Sequence, residues 1–255
     1  MTNNSPLAVS AQHAPSPPAT LAGASIFFDF DGTLVELAGS PDAVVVGAPL
    51  LALLERLASR IPGRVAIVSG RSVAQLDAML GGFAASVAVA GSHGAEQRMP
   101  GAPATLPPRS PALDAACQAL EAWAQPRSLL TERKTLGTAL HYRQQPQWES
   151  EAVATGEALA AQFGVTLQRG KMMIELRSAG DKGKAITALL DTPAMAGTRP
   201  LFFGDDVTDE DGFVAAADAG GAGVLIGEPR ATAALYRLND VSALHAWIVQ
   251  ALEGR

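Results

Sequence analysis

The segment that most constrains the fold is residues 26–34, in which three apolar residues run directly into two aspartates. The apolar run predicts a buried strand, and Asp29 and Asp31 follow at its end. Side chains alternate along a strand, so both carboxylates point to the same side. Gly32 permits a sharp turn, and Thr33 offers a hydroxyl near a helix start. Two carboxylates this close repel each other unless a cation or shared proton compensates, and oxygen ligands suit Mg²⁺. The alternative for such a pair in isolation is a surface Asx turn.

The chain on either side of its middle third alternates predicted strands with predicted helices. This order implies a parallel sheet covered by helices on both faces. The sequence therefore predicts an α/β fold with a Rossmann-like doubly wound parallel sheet. Further strands are predicted at residues 65–68, 87–90, 201–203 and 224–226, and helices at 50–59, 72–80, 182–190, 209–217 and 241–252.

The middle third has a different pattern, which begins after a segment with five prolines at residues 100–111. Helix, strand and strand follow one another twice, which indicates a small inserted α+β cap domain. We expect a flexible tail at 1–22, a core domain formed by 23–96 and 178–255, and the cap at 97–177. The predicted cap elements are helices 112–124 and 148–163 and strands 129–133, 138–143, 165–168 and 172–177.

Composition excludes several classes of function. The net charge of -6 argues against nucleic acid as a partner, because a phosphate backbone demands a basic face. The lone Cys117 rules out an internal disulfide and fits a reducing compartment. No apolar run approaches a membrane span, and residues 1–22 lack the charged start of a signal peptide. We expect a cytoplasmic protein without a membrane partner, as a monomer or weak oligomer.

A second acidic cluster follows the strand predicted at 201–203. Open parallel sheets bind ligands at the carboxyl ends of their strands, so we expect Asp205 to join Asp29 and Asp31 in a Mg²⁺ site. Asp206 and Asp209 would hold metal waters or neighbouring groups. Acidic capping of a helix N-terminus is the alternative.

Two further candidates would handle a phosphate group. Ser69 follows the strand predicted at 65–68 and can donate to a phosphate oxygen, together with free amides at the following helix start. An N-cap serine is the alternative. Lys182 opens a helix, where it opposes the macrodipole, which suggests a role in neutralising phosphate charge and Asp29. Lys184 is the second choice, and a solvated lysine is the alternative.

The aspartate pair, Ser69, Lys182 and the second acidic cluster occur in the order found in haloacid-dehalogenase-like (HAD) phosphatases. The insertion lies between Ser69 and Lys182, which is also the position of the cap in HAD enzymes with a C2-type cap. The chain contains the motifs Asp29-Phe30-Asp31-Gly32-Thr33-Leu34, Ser69-Gly70-Arg71, Gly91-Ser92-His93-Gly94-Ala95-Glu96, Glu132-Arg133-Lys134, Ala139-Leu140-His141-Tyr142-Arg143, Glu175-Leu176-Arg177, Asp181-Lys182-Gly183 and Gly204-Asp205-Asp206-Val207-Thr208-Asp209-Glu210. In these motifs the chain resembles the trehalose-6-phosphate phosphatase family over residues 24–250. One departure is Ser178, where the family often has proline.

The resemblance implies roles for individual residues. Asp29 would attack phosphorus and Asp31 would act as general acid/base, with Ser69 and Lys182 completing the catalytic set. The substrate-binding residues would be Arg71, His93, Gly94, Glu132, Lys134 and Glu175. A solvated hairpin face is the alternative for Glu132 and Lys134, and a loop-capping role is the alternative for His93. His141 and His245 look structural.

The resemblance also implies the activity, a Mg²⁺-dependent phosphoric monoester hydrolase that converts trehalose 6-phosphate to trehalose and phosphate through an aspartyl-phosphate. Alternatives are a phosphatase for sucrose phosphate or mannosylphosphoglycerate, a phosphotransferase or mutase, and a non-catalytic sugar-phosphate sensor. All of them bind a small sugar phosphate.

Overall fold

The computed structural model describes residues 14–38, 44–170 and 172–254, which form two compact units. The first, the core unit, comprises the described residues up to Thr105 and from Asp181 onwards. The second, the inserted unit, is Leu106–Gly180. The core unit thus extends past residue 96, where the sequence analysis placed its end. Gln97 and Arg98 lie in a strand of the core sheet because they pair with the strand before them.

Eleven strands form two sheets in the described part of the chain. The core unit has a seven-stranded sheet of order β11-β10-β9-β1-β2-β3-β4, in which every pairing is parallel except that of β3 with β4. The inserted unit has an antiparallel sheet of order β5-β6-β8-β7. The strands are β1 (Ala24–Phe28), β2 (Val65–Val68), β3 (Ala88–Gly91), β4 (Glu96–Arg98), β5 (Leu130–Lys134), β6 (Gly137–His141), β7 (Thr166–Gly170), β8 (Met173–Arg177), β9 (Arg199–Gly204), β10 (Ala222–Ile226) and β11 (Tyr236–Leu238).

Helices cover both faces of the core sheet, which confirms the predicted α/β class. Ile26 and Phe28 belong to the apolar cluster packed by α1, α2, α3 and α8, while Phe27 belongs to the one packed by α6 and α7. Because both faces are covered, β1, β2 and β3 are buried along their whole length. The helices are α1 (Ala48–Arg60), α2 (Val73–Leu80), α3 (Gly82–Ser86), α4 (Pro111–Ala124), α5 (Glu149–Phe163), α6 (Lys182–Leu190), α7 (Glu210–Asp218) and α8 (Val241–Glu253).

The order of strands creates a topological switch at β1. The chain leaves β1 towards β2 on one side and returns through β9 on the other. Phe28 is in register with Ile67 of β2 and Phe203 of β9, so the three strands end at the same edge. That edge is where open α/β sheets bind ligands.

Part of the predicted flexible tail is packed against the core unit. The carbonyl of Pro15 accepts from the amide of Arg237, that of Pro17 accepts from the indole of Trp247, and Leu21 is buried. The prediction is wrong for residues 14–22, since composition alone does not reveal these partners. Residues 1–13 of that tail lie outside the described residues.

The inserted unit is a two-layer α+β arrangement. Leu140, Ile174 and Leu176 pack one face of its sheet against α4 and α5. Cys117 is buried on α4. No helix in the described ranges has the length and apolar character needed to cross a membrane.

Candidate active site

A group of buried polar side chains lies at the carboxyl edge of the core sheet. Asp29 follows β1, Ser69 follows β2, and Asp209 lies in the turn between β9 and α7. All three are buried, as is Lys182 at the start of α6. Burying so many polar groups is costly unless they bond to one another or to a ligand.

Three of the carboxylates form a cluster suited to a cation. One oxygen each from Asp29, Asp205 and Asp209 lies within 4.8 Å of the other two. Lys182 Nζ lies 3.0 Å from Asp29 Oδ1 and 2.6 Å from Asp209 Oδ1. One ammonium therefore faces three carboxylates, and the donors are all hard oxygens, so the residues fit a divalent ion such as Mg²⁺.

The electrostatics of the cluster favour the binding of a cation. Burial raises the pKa of Asp29 well above its usual value; Lys182 opposes the rise, and Asp209 and Asp205 add to it. Burial, with repulsion from Asp209, raises the pKa of Asp205 to about 7. Burial alone would lower the pKa of Lys182, but Asp209 and Asp29 outweigh it and raise that pKa above its usual value. Lys182 thus stays charged, while burial and mutual repulsion disfavour the ionised forms of Asp29 and Asp205, which a bound cation would favour.

Asp209 organises the loop that carries Asp205. Its Oδ1 accepts from Lys182, and its Oδ2 accepts from the amides of Asp205 (2.9 Å) and Asp206 (3.0 Å). Asp206 is exposed and caps the turn by accepting from the amide of Val207. Asp209 therefore bonds neighbouring groups and also lies in the carboxylate cluster. The contact of Asp206 is that of an N-cap, which was the alternative for this cluster, and its predicted place beside the metal stays a prediction.

Asp31 has a different partner from the one predicted. Its carboxylate accepts two hydrogen bonds from Arg71, one from Nε at 2.6 Å and one from Nη2 at 2.7 Å. The carboxylate cluster contains Asp209 in the place predicted for Asp31. A metal contact of Asp31 stays a prediction. Arg71, predicted to contact the substrate, holds Asp31 here because a guanidinium matches a carboxylate bidentately.

Gly32 is needed at this site for a reason that the sequence does not show. Its φ is +79°, and a Cβ built on it would lie 2.1 Å from Oδ2 of Asp205. Thr33 Oγ1 donates to the other oxygen of Asp205 at 3.3 Å. Gly32 therefore provides both the turn after Asp31 and the space that Asp205 occupies.

Ser69 is buried but does not cap the helix that follows it. The N-cap of α2 is Ser72, which accepts from the amide of Gln75. Ser69 Oγ instead accepts from the amide of Arg71 at 3.2 Å. The helix begins three residues later than an N-cap at Ser69 would require, so that alternative is wrong. Lys184, the second choice for the phosphate lysine, has a side chain that is 87% exposed.

His93 and Gly94 lie in a turn after β3 whose residues have positive φ. His93 is buried, and its ring lies beside Gly70, where a Cβ would be 2.7 Å from Nε2. A Cβ on Gly94 would lie 2.7 Å from that of Ala185. The turn thus packs closely against its neighbours, and the predicted substrate contacts of both residues stay predictions.

The residues predicted to bind sugar lie together on the helix-free face of the inserted sheet. Glu132 and Glu175 are in register across Ala139. Lys134 donates to Glu175 at 2.6 Å, and His141 lies 3.1 Å from Glu132. Glu175 is buried, and the side chains of Glu132 and Lys134 are only 24% and 15% exposed, so a solvated hairpin face does not describe them. His141, taken as structural, is a partner of one of the predicted sugar ligands.

Comparison with known proteins gives consistent results. A model of the trehalose-phosphatase family matches residues 27–242. The trehalose-6-phosphate phosphatase of Escherichia coli K12 is 37% identical over 226 residues, which cover 87% of this chain and 84% of that protein. A probable trehalose-phosphate phosphatase of Sinorhizobium fredii is 36% identical over 229 residues, covering 88% and 86%. The C-terminal domain of trehalose-6-phosphate phosphatase from C. albicans shares the fold, with a TM-score of 0.80 at 21% identity over 94% of this chain and 98% of that one.

Proposed function

The chain belongs to the trehalose-phosphatase family and is a phosphoric monoester hydrolase, and we propose that it hydrolyses trehalose 6-phosphate to trehalose and phosphate with Mg²⁺ as its cofactor. The observation that supports this most is the buried cluster of Asp29, Asp205, Asp209 and Lys182 at the switch point of the sheet. Such a cluster combines a nucleophile, a cation site and a fixed positive charge in one place.

Asp29 is the proposed nucleophile. Its carboxylate oxygen attacks phosphorus, and the bond from phosphorus to the sugar oxygen breaks, which leaves an aspartyl-phosphate. Lys182 Nζ, 3.0 Å from Asp29 Oδ1, and the hydroxyl of Ser69 stabilise charge on the transferring phosphoryl group. A bound Mg²⁺, held by Asp29 and Asp205, would supply further charge neutralisation at the phosphoryl oxygens.

Asp31 is the proposed general acid and base. It protonates the departing sugar oxygen and then takes a proton from the water that attacks the aspartyl-phosphate, so that Asp29 is released with phosphate. Both oxygens of Asp31 accept from Arg71 in the structure. Each oxygen keeps a second lone pair that can take up a proton, and an incoming phosphate group is a further partner for that guanidinium.

The inserted unit is the proposed cap and the source of sugar recognition. Glu132, Lys134 and Glu175 offer acceptors and donors on one face, which suits a ligand rich in hydroxyl groups. His93, Gly94 and Arg71 remain proposed substrate contacts of the core unit. We also propose that the enzyme works in the cytoplasm, which the lone Cys117 supports, and that it is a monomer or weak oligomer.

A phosphate-release assay on a panel of substrates tests this function. The panel contains trehalose 6-phosphate, sucrose phosphate, mannosylphosphoglycerate, glucose 6-phosphate and a small aryl phosphate. We expect the highest kcat/KM for trehalose 6-phosphate, and a phosphate adduct on the peptide containing Asp29 after acid quenching. A higher kcat/KM for another sugar phosphate would replace the proposed substrate, and binding without release from any of them would indicate a sensor.

A further inference from the structure

The turn between β3 and β4 has an unfavourable backbone conformation and carries two of the proposed substrate contacts, His93 and Gly94. Ser92, His93 and Gly94 have φ of 49°, 55° and 93° in succession. Residues with a Cβ rarely adopt this region, and they do so where the surroundings over-determine the backbone. Some contact must therefore hold this turn in place.

Glu96 supplies that contact. It is the first residue of β4, lies opposite Gly91 of β3, and is 1% exposed. Its Oε1 accepts from the hydroxyl of Ser92 at 2.6 Å, and its Oε2 accepts from the amide of Val73 at 2.9 Å. Hydrogen bonds to a buried carboxylate are strong, so Glu96 ties the turn to the first residue of α2.

The turn is also bonded to the loop between β2 and α2, which carries Ser69 and Arg71. The amide of His93 donates to the carbonyl of Ser69, and the amide of Ser92 donates to that of Arg71, both at 2.8 Å. A Cβ on Gly91 would lie 2.6 Å from the amide nitrogen of Val73, so the two backbones are in close contact. The loop and the turn thus form one braced unit.

We propose that Glu96 is a positioning residue that, through this brace, sets Ser69 and Arg71 for phosphoryl transfer. The inference rests on the proposed function, because Ser69 is assigned to the phosphoryl group and Arg71 holds Asp31. A small displacement of the loop would move both the hydroxyl and the guanidinium. Glu96 itself touches neither substrate nor metal in this scheme.

Three variants separate positioning from simple stabilisation. Glu96→Ala removes the two hydrogen bonds that Glu96 accepts, from the Ser92 hydroxyl and from the Val73 amide. Glu96→Gln can keep both, since its carbonyl oxygen can accept from Val73 while its amide donates to a reoriented Ser92 hydroxyl. Arg98→Ala is the matched control on the same strand, because the Arg98 guanidinium bonds Asp77 and Ala84 instead.

The readouts are kcat and KM, measured well below the melting temperature and per folded enzyme, and hydrogen exchange of the peptides covering 66–75 and 88–97. For Glu96→Ala we expect kcat to fall on the order of 10²-fold for both trehalose 6-phosphate and a small aryl phosphate, with KM changing much less. Exchange should accelerate in both peptides. Glu96→Gln should recover most of kcat, and Arg98→Ala should retain it.

Two results would overturn the inference. One is wild-type kcat in folded Glu96→Ala, which would leave Glu96 a stabilising residue only. The other is unchanged exchange of the 66–75 peptide in that variant, which would mean that Glu96 does not brace the loop. Absence of phosphate release by the wild-type enzyme would instead refute the proposed function, and the exchange measurement would still decide whether the brace exists.

Discussion

The residues of the core site gain their properties from their neighbours. Asp29 lies in a buried group where carboxylates exceed ammonium groups, with Lys182 as its nearest cation. The same side chain on the surface would be an ordinary solvated acid. In this setting it is poised to attack an electrophile once a bound cation offsets the negative charge of the neighbouring acids.

The nucleophile assignment predicts the effect of Asp29→Asn. The amide preserves the size of the side chain but cannot form the aspartyl-phosphate, so kcat should fall by at least roughly 10³-fold. The fold should persist, because the change removes one of the mutually repelling buried acids. Phosphate release and circular dichroism of the same preparation check this, and near wild-type turnover would remove Asp29 from the role.

Gly32→Ala tests the close approach between Gly32 and Asp205. The new Cβ would lie 2.1 Å from Asp205 Oδ2, so Asp205 must move, and both metal affinity and activity should fall. Gly164→Ala is a matched control, since Gly164 also has positive φ (66°) but a Cβ there meets nothing within 4 Å. Both variants should lose about 1–2 kcal/mol of stability from backbone strain. Equal Mg²⁺ affinity of the two variants in calorimetry would contradict the assignment.

At the scale of elements, the ends of strands decide where chemistry is placed. The shared register of β1, β2 and β9 brings Asp29, Ser69 and the Asp205 loop to one edge, although they are far apart in sequence. In the inserted unit, successive side chains of β5 lie on opposite faces of the sheet and have different roles. Glu132 and Lys134 lie on the helix-free face, and Arg133 reaches Glu121 of α4.

This division predicts how the inserted sheet contributes to specificity. Glu132→Ala, Lys134→Ala and Glu175→Ala should each lower kcat/KM for trehalose 6-phosphate by roughly one to two decades, because one hydrogen bond to a charged group is lost. Hydrolysis of a small aryl phosphate should change little, since it uses only the core unit.

Arg133→Ala serves as the control for that series. Its side chain is 75% exposed and lies between two of the mutated positions on the same strand, but it faces away from them. It should leave kcat/KM for both substrates near the wild-type value. An equal loss on both substrates in the three test variants would refute the sugar-binding assignment.

At the scale of the whole molecule, the core unit has a charge deficit that a bound ion would correct. We expect activity to vanish in excess chelator and to return with Mg²⁺. Metal that binds only the folded state should also raise the melting temperature. The free energy of unfolding should increase by about 2.7 kcal/mol when the metal concentration is a hundredfold above Kd. Asp205→Asn should lose most of this stabilisation. Full activity in chelator, with metal analysis showing no bound ion, would contradict the prediction.

The fold class and the positions of the candidate site residues could be predicted from the sequence alone. Unbroken apolar runs such as residues 65–68 fix buried parallel strands, and their order with the intervening helices fixes the α/β class. The motif residues could be located because each follows a recognisable strand or opens a recognisable helix. These signals are local, so periodicity and spacing are sufficient to read them.

The tertiary structure decided which of these residues are partners. It paired Asp31 with Arg71 and placed Asp209 in the carboxylate cluster. It also made Ser72 the N-cap of α2 and brought two hydrogen-bond donors to Glu96. It also formed β4 and β11, which are too short to carry a periodic signal, and packed residues 14–22 against the core unit. A carboxylate can accept a hydrogen bond from any donor that lies next to it, and the folding of distant segments decides which donor that is. The sequence pattern alone therefore does not identify its partner.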